Sequence, residues 1–474
     1  MEKKILDPFV KKLISNMGWQ SVGMFLRAVT SFVALGVIAN IAGAETVGIY
    51  GVSWVFVFGA FSIIQGFCGQ TLIGLKRAEN GHVNACFFLS LLLPALIIIA
   101  ALVVESLTSH ISFNLELEAG IKLGIVLLPV MSLAVAENAL LQRHLEFRLF
   151  ALINTGCSVA SALSAIAIAV FIDPLLALFC LTGLIGLAQF LMYRLLGKRL
   201  PFGRFTVKDL EDVWNSGKHF GLNALSGAIF INSPQLLIAM FISLEQVGIY
   251  VLCRRLIEML VTQVSTVVYV VIFPSFATIR DDLDRVRSLF LRSNYYSALV
   301  MMLLLLLLGS SPSDFLSVYA GPEWRSGGRV LLLIIVMQVG LNFAVNVFPT
   351  FLALGNFSIA WKWNLALTFF QCILLLLFGT SDIEHAAFIL AMSTLAMPLA
   401  VFAISKKLKF GFVSWLKNML MISCLGIVVL LLSQLSISFL EGINIYSRIL
   451  LLSAGSFIVY VIIFLSLKMH LRYQ

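Results

Sequence analysis

Charge is scarce in this chain, and what chemistry it has is not clustered. Asp, Glu, Lys and Arg make up 12% of 474 residues, about half the share of a soluble domain. With 60% hydrophobic residues and a mean hydropathy of +1.02, that scarcity excludes an ordinary soluble fold and points to a polytopic membrane protein. The six histidines and seven cysteines are scattered, with no HxxxH pair and no redox or metal-ligand spacing. No metal, cofactor or disulfide framework is therefore expected, and the cysteines read as small buried hydrophobes. GxSxG, a phosphate-cradling glycine loop and a carboxylate cluster are also missing. The longest outside loops, near 105–118 and 313–328, are too short for a catalytic domain, so the chain is expected not to be an enzyme. The start, MEKKILDPFVKKLISNMGWQ, has no cleavable signal pattern and reads as a retained basic lead-in.

What the sequence has is long apolar runs. About 20 apolar residues cross a bilayer as a helix, and that length fits fourteen segments, from 17–41 to 449–467. With the N-terminus inside, cytoplasmic segments hold about 25 of the 32 Lys and Arg, as the positive-inside rule requires. Arg143, Arg148, Arg204, Lys208, Lys406, Lys407 and Lys409 are among them. Both termini are then cytoplasmic. The net charge of +9 reports topology and contact with anionic membrane lipids, not nucleic acid.

Residues 45–54 read ETVGIYGVSW and residues 245–254 read EQVGIYVLCR. At the offset of 200, seven of the thirteen columns 38–50 are identical. Six predicted spans separate the copies, so both run in the same direction, as in a parallel repeat. The expected architecture is all-α: helices 1–6 in an N-lobe (1–205), helices 7–12 in a C-lobe (206–404), and two C-terminal helices (405–474). Glu45 and Glu245 sit where acids favour a helix N-terminus.

Ionisable residues inside a span are expensive and are functional candidates by default. Arg27 lies mid-way along the first span, roughly 15 Å from its cytoplasmic end. Arg254, Arg255 and Glu258 lie in the eighth. Arg254 and Glu258 are i,i+4 and predict an ion pair, which makes Arg255, about 100° around the helix, the better ligand candidate. Glu137 sits near the cytoplasmic end of the fourth span, where coupling, capping or snorkelling are open roles. Gln65, Gln70, Asn223, Asn232, Asn342 and Asn346 are cavity-lining candidates, interhelical hydrogen bonding being the alternative use. Pro94, Pro129, Pro234, Pro274 and Pro349 allow bends.

The stretches GWQSVGMFLRAVTSFVALGVIANIAGAETVGIYGV and HFGLNALSGAIFINSPQLLIAMFISLEQVGIYVLCRRL resemble the multidrug/oligosaccharidyl-lipid/polysaccharide exporter superfamily, and within it the Wzx-type polysaccharide flippases. ALLQRHLEFRLFALIN and FLALGNFSIAWKWN extend the likeness along the chain. The resemblance implies alternating access and translocation of an undecaprenyl-pyrophosphate-linked oligosaccharide across a bacterial inner membrane, for O-antigen, capsule or exopolysaccharide assembly. It matches Arg27, Arg254 and Arg255 to the pyrophosphate site, which agrees with the affinity of guanidinium for phosphate. A polymerase and a chain-length regulator of the same pathway are the implied protein partners. A cation-coupled drug exporter of the same superfamily is the alternative, although the arginine in helix one speaks against it. A polysaccharide polymerase is a further one.

Overall fold

The computed structural model describes residues 8–75, 78–108, 115–144, 146–196, 203–267, 276, 282–354, 357–378, 382–440 and 442–471. Residues 268–275 of the predicted span 247–276, Pro274 among them, and the first part of the 197–219 linker lie outside these residues. Every regular element among the described residues is helical.

The chain divides into two compact units, Met1–Asn232 and Ser233–Gln474. Unit 1 begins with α1 (Pro8–Ile64), a π turn (Gln65–Gln70) and α2 (Thr71–Gly74). It continues with α3 (Asn80–Thr108), α4 (Leu115–Ser132), α5 (Val135–Arg143), α6 (Phe147–Phe171) and α7 (Pro174–Leu195). α8 (Val207–Phe241) runs across the division. Unit 2 then holds α9 (Leu244–Val267), α10 (Leu283–Gly309), α11 (Pro312–Tyr319), α12 (Gly328–Asn342) and α13 (Val347–Ala353). It ends with α14 (Phe357–Phe378), α15 (Ile383–Ser393), α16 (Met397–Leu408), α17 (Phe412–Ile437) and α18 (Ile445–Leu471).

Ten of the described helices are long and apolar enough to cross a membrane, or eleven with α8 counted as one bent span. The sequence pattern predicts fourteen, and the difference has local causes. Val22–Gly74 passes as one 53-residue run, yet at 1.5 Å per residue it would be about 80 Å long, far more than one crossing. Gly43, at φ 73° and ψ 169°, breaks it between the two predicted spans, in a region of φ that glycine enters without steric cost. α9 carries Arg254, Arg255 and Glu258, which lower its hydropathy, and α14 contributes a shorter apolar stretch, Lys362–Phe378, among the described residues. Large hydrophobic side chains stand exposed in rows, such as Phe369, Ile373, Leu376 and Leu377 on α14 and Leu431, Leu432 and Leu435 on α17. A soluble monomer rarely shows such patches; lipid covers them here.

The repeat is structural as well as textual. Val47, Ile49 and Tyr50 are buried in unit 1, and Val247, Ile249 and Tyr250 in unit 2. A Cβ on Gly120 of α4 would lie 2.9 Å from Ile49 Cγ2 and 2.7 Å from Ser53 Oγ. In unit 2, a Cβ on Gly327 would lie 2.8 Å from Ile249 Cγ2 and 3.6 Å from Cys253 Sγ. Positions 49 and 53, and 249 and 253, thus meet a glycine in the same way, so that two helices approach closely.

Proline and acid caps set several helix starts. Asp173 accepts from Leu176 N at 2.7 Å ahead of Pro174, and Asp382 accepts from His385 N at 2.7 Å. The C-terminal pair is tied into unit 2: Gln434 Nε2 donates to Gly309 O at 2.8 Å, and Ser310 and Ser453 hydroxyls meet at 3.0 Å. Arg448 Nε reaches Asp314 Oδ2 at 2.6 Å with both side chains buried.

Candidate functional site

Unit 1 holds a half-open cavity of about 410 Å³. Trp54, Phe58 and Phe61 of α1 contribute its aromatic wall, and Gln65 and Gln70 of the π turn, Asn138 and Gln142 of α5, and Thr182 and Gln189 of α7 contribute polar groups. The π turn explains how Gln65 and Gln70 both reach it. Residues five apart lie about 140° apart on an α-helix, whereas i→i+5 winding brings them back toward one face. The turn's other residues, Gly66, Phe67, Cys68 and Gly69, are buried. Gly186, also in the lining, has no room for a side chain: its Cβ would lie 2.5 Å from the carbonyl oxygens of Val130 and Met131.

A hydrogen-bond relay stands behind the polar wall. Tyr193 donates its hydroxyl to Asn138 Oδ1 at 2.6 Å, and Asn138 Nδ2 donates to Gln189 Oε1 at 2.8 Å. Gln189 Nε2 donates to Asn154 Oδ1 at 2.5 Å, and Asn154 Nδ2 to the Phe150 carbonyl at 3.0 Å. All donors point the same way along the chain, ending on a backbone acceptor, which determines the orientation of each amide. Next to it, buried Glu137 pairs with Arg194 at 3.3 Å, and the Arg194 guanidinium lies 4.5 Å from the Phe190 ring centre. Glu137 is thus held in an ion pair, with a partner from α7 that sequence spacing did not reveal.

Unit 2 carries the cationic cluster. Arg254 Nε donates to Glu258 Oε1 at 2.8 Å, and Arg254 Nη1 to Gln235 Oε1 at 3.1 Å. Arg255 Nη1 lies 3.5 Å from Glu258 Oε2. The i,i+4 pair is as expected, but Glu258 is not reserved for Arg254: its second oxygen takes the i,i+3 neighbour, since residues three apart are also adjacent on a helix. Arg27 belongs to unit 1, where its Nη1 donates to Thr155 Oγ1 at 3.3 Å, and Thr155 in turn donates to Gly23 O at 3.2 Å.

Of the six amide candidates, Gln65 and Gln70 line the unit 1 cavity. Asn223 is exposed on α8, and buried Asn232 donates to Ala228 O at 2.8 Å within its own helix. Asn342 and Asn346 are buried in unit 2 where α12 gives way to i→i−3 turns before α13. Asn138, Gln142, Gln189 and Trp54 were missed as lining residues. The available signal was an amide or indole inside an apolar span, which Glu137 masked at Asn138.

Duplicated helical units, lipid-facing apolar rows and a guanidinium cluster inside a span define a multi-pass membrane protein of transporter type. Residues 37–327 match the family described as "Polysaccharide biosynthesis protein", and the chain belongs to that family. It is 23% identical over 368 residues to the teichuronic acid biosynthesis protein TuaB of Bacillus subtilis (strain 168), covering 76% of this chain and 75% of that protein. It is 22% identical over 362 residues to the lipopolysaccharide biosynthesis protein WzxC of Escherichia coli (strain K12), covering 76% and 73%. Among solved structures, the lipid II flippase MurJ in an inward closed conformation aligns with a TM-score of 0.73 at 11% identity, over 94% of this chain and 98% of MurJ. An inward-facing multidrug resistance MATE transporter aligns with a TM-score of 0.63 at 15% identity, over 84% and 98%. These two likenesses establish the fold.

Proposed function

We propose that the protein translocates a polyprenyl-pyrophosphate-linked oligosaccharide from the inner to the outer leaflet of a bacterial inner membrane, by alternating access and with both termini cytoplasmic. The observation that carries this reading is the meeting of Arg254, Arg255 and Glu258 on α9, among residues that are otherwise mostly apolar. These three groups together carry one net positive charge, and guanidinium forks match phosphate oxygens. Arg27, held by Thr155, is the third arginine assigned to the pyrophosphate. The relatives' names speak of teichuronic acid and lipopolysaccharide biosynthesis, which favours a lipid-linked glycan over a drug cation as cargo. Membrane lipids, and a polymerase and chain-length regulator downstream, are the partners this reading implies.

The test is genetic and chemical. Loss of the protein should trap lipid-linked repeat units on the cytoplasmic face, whereas units accumulating singly on the outer face would indicate a polymerase. Arg27→Ala and Arg255→Ala should abolish surface polymer at unchanged protein level, and full polymer from the double variant would overturn the assignment.

A further inference from the structure

We propose that the unit 1 cavity is a seat for the uncharged sugar end of the cargo, selecting neutral rings over acidic ones. This rests on the flippase reading and adds a second, separate subsite to it. None of the side chains that line the cavity carries a formal charge. Its polar groups are amides and a hydroxyl, and each amide offers both donors and an acceptor. A sugar ring needs that mixture, because every hydroxyl donates and accepts. The aromatic wall supplies flat faces for the C–H faces of such a ring. Trp54 is held by Tyr50, with ring centres 5.7 Å apart, and by Phe179 at 6.5 Å.

The alternatives fit less well. A polyprenyl tail would strip water from Gln65, Gln70 and Gln142 without replacing its hydrogen bonds, which is costly for each amide. A carboxylate-bearing sugar or a drug cation would find no counter-charge in the lining, and an unpaired buried charge is more costly still. Glu137, beside Asn138 in sequence, is engaged with Arg194, and Arg143, beside Gln142, is committed to the backbone carbonyls of Leu72, Ile73 and Leu75.

The relay adds selectivity. Because Asn138 and Gln189 are each bonded into the Tyr193–Asn154 chain, neither amide can flip to suit a misplaced hydroxyl. Asn138 and Gln189 are therefore specificity-determining positions, while Gln65, Gln70 and Gln142 stand outside the relay and adapt.

The experiment uses the full-length protein in nanodiscs and the oligosaccharide released by mild acid from the host's own lipid-linked pool. The expected result is quenching of tryptophan fluorescence that disappears in Trp54→Phe and survives excess inorganic pyrophosphate. Gln70→Leu and Gln142→Leu, each checked for membrane level so that one can stand in for the other, should weaken it roughly fivefold per lost hydrogen bond. Oxidising the sugar's primary hydroxyls to carboxylates should weaken it at least tenfold. Absence of Trp54-dependent quenching, wild-type affinity in both leucine variants, or equal binding of the oxidised sugar would overturn the proposal. The flippase reading fails differently: a strain lacking the protein that still exports polymer overturns that reading whatever the binding result.

Discussion

Gln65 and Gln70 stand five residues apart and line the same cavity, because the helix between them winds as a π turn. The geometry is that of one extra residue in an otherwise α-helical span, taken up by the wider turn so that the helix before it keeps its facing.

Deleting Gly69 should therefore be tolerated where a deletion elsewhere in the span is not. It makes Gln65 and Gln70 i,i+4 neighbours, about 40° apart on an α-helix, so both still face the cavity once the turn winds as α. Surface polymer, normalised to protein in the membrane, should fall less than with Gln65→Leu or Gln70→Leu. A deletion that transports worse than the leucine variants would show that the π winding itself is needed.

Glu258 holds two arginines, and its replacement should be felt by both. Glu258→Gln should lower stability by about 1–2 kcal/mol, below the figure for a fully buried pair because its side chain is 38% exposed. Arg255→Ala, which leaves the Arg254 contact intact, should cost less. Thermal unfolding in detergent, read side by side, gives the order.

The Asp314–Arg448 pair is the more deeply buried one. Arg448→Ala leaves the Asp314 carboxylate to Arg325 alone, at 3.6 Å, and should destabilise the protein by about 3–5 kcal/mol. Asp314→Asn combined with Arg448→Met should recover much of that loss, because no buried charge remains unpaired. A double variant as unstable as Arg448→Ala would mean the contact works through packing.

At Gly186 the obstacle is backbone. A methyl group there meets two carbonyl oxygens at 2.5 Å, so Gly186→Ala should force α7 away from α4 at a cost of about 1–3 kcal/mol. At Gly156 nothing among the described residues lies within 4 Å of the added Cβ, so Gly156→Ala should leave the melting temperature near wild type or raise it slightly.

The architecture was legible because its signals are long-range and redundant. Apolar runs, the VGIY repeat and the placement of Glu245 in the first turn of α9 all point to one duplicated bundle. The Arg254–Glu258 pair followed from helix spacing alone. The cavity did not, since Gln65 and Gln70 share it through a π turn that no simple periodicity announces. Asn138, Gln189 and Asn154 come from three different helices, and their hydrogen bonds depend on a tertiary register that one sequence does not contain. Arg194 was hidden for the same reason: its partner Glu137 lies 57 residues away.

The contacts of Ile49 on Gly120 and Ile249 on Gly327 turn the chain into its own duplicate experiment. The same alanine can be introduced at either glycine, singly or together, within a constant composition and a constant membrane. Whichever copy tolerates it less is the half whose helices the protein can least afford to loosen, a comparison that normally needs two homologues.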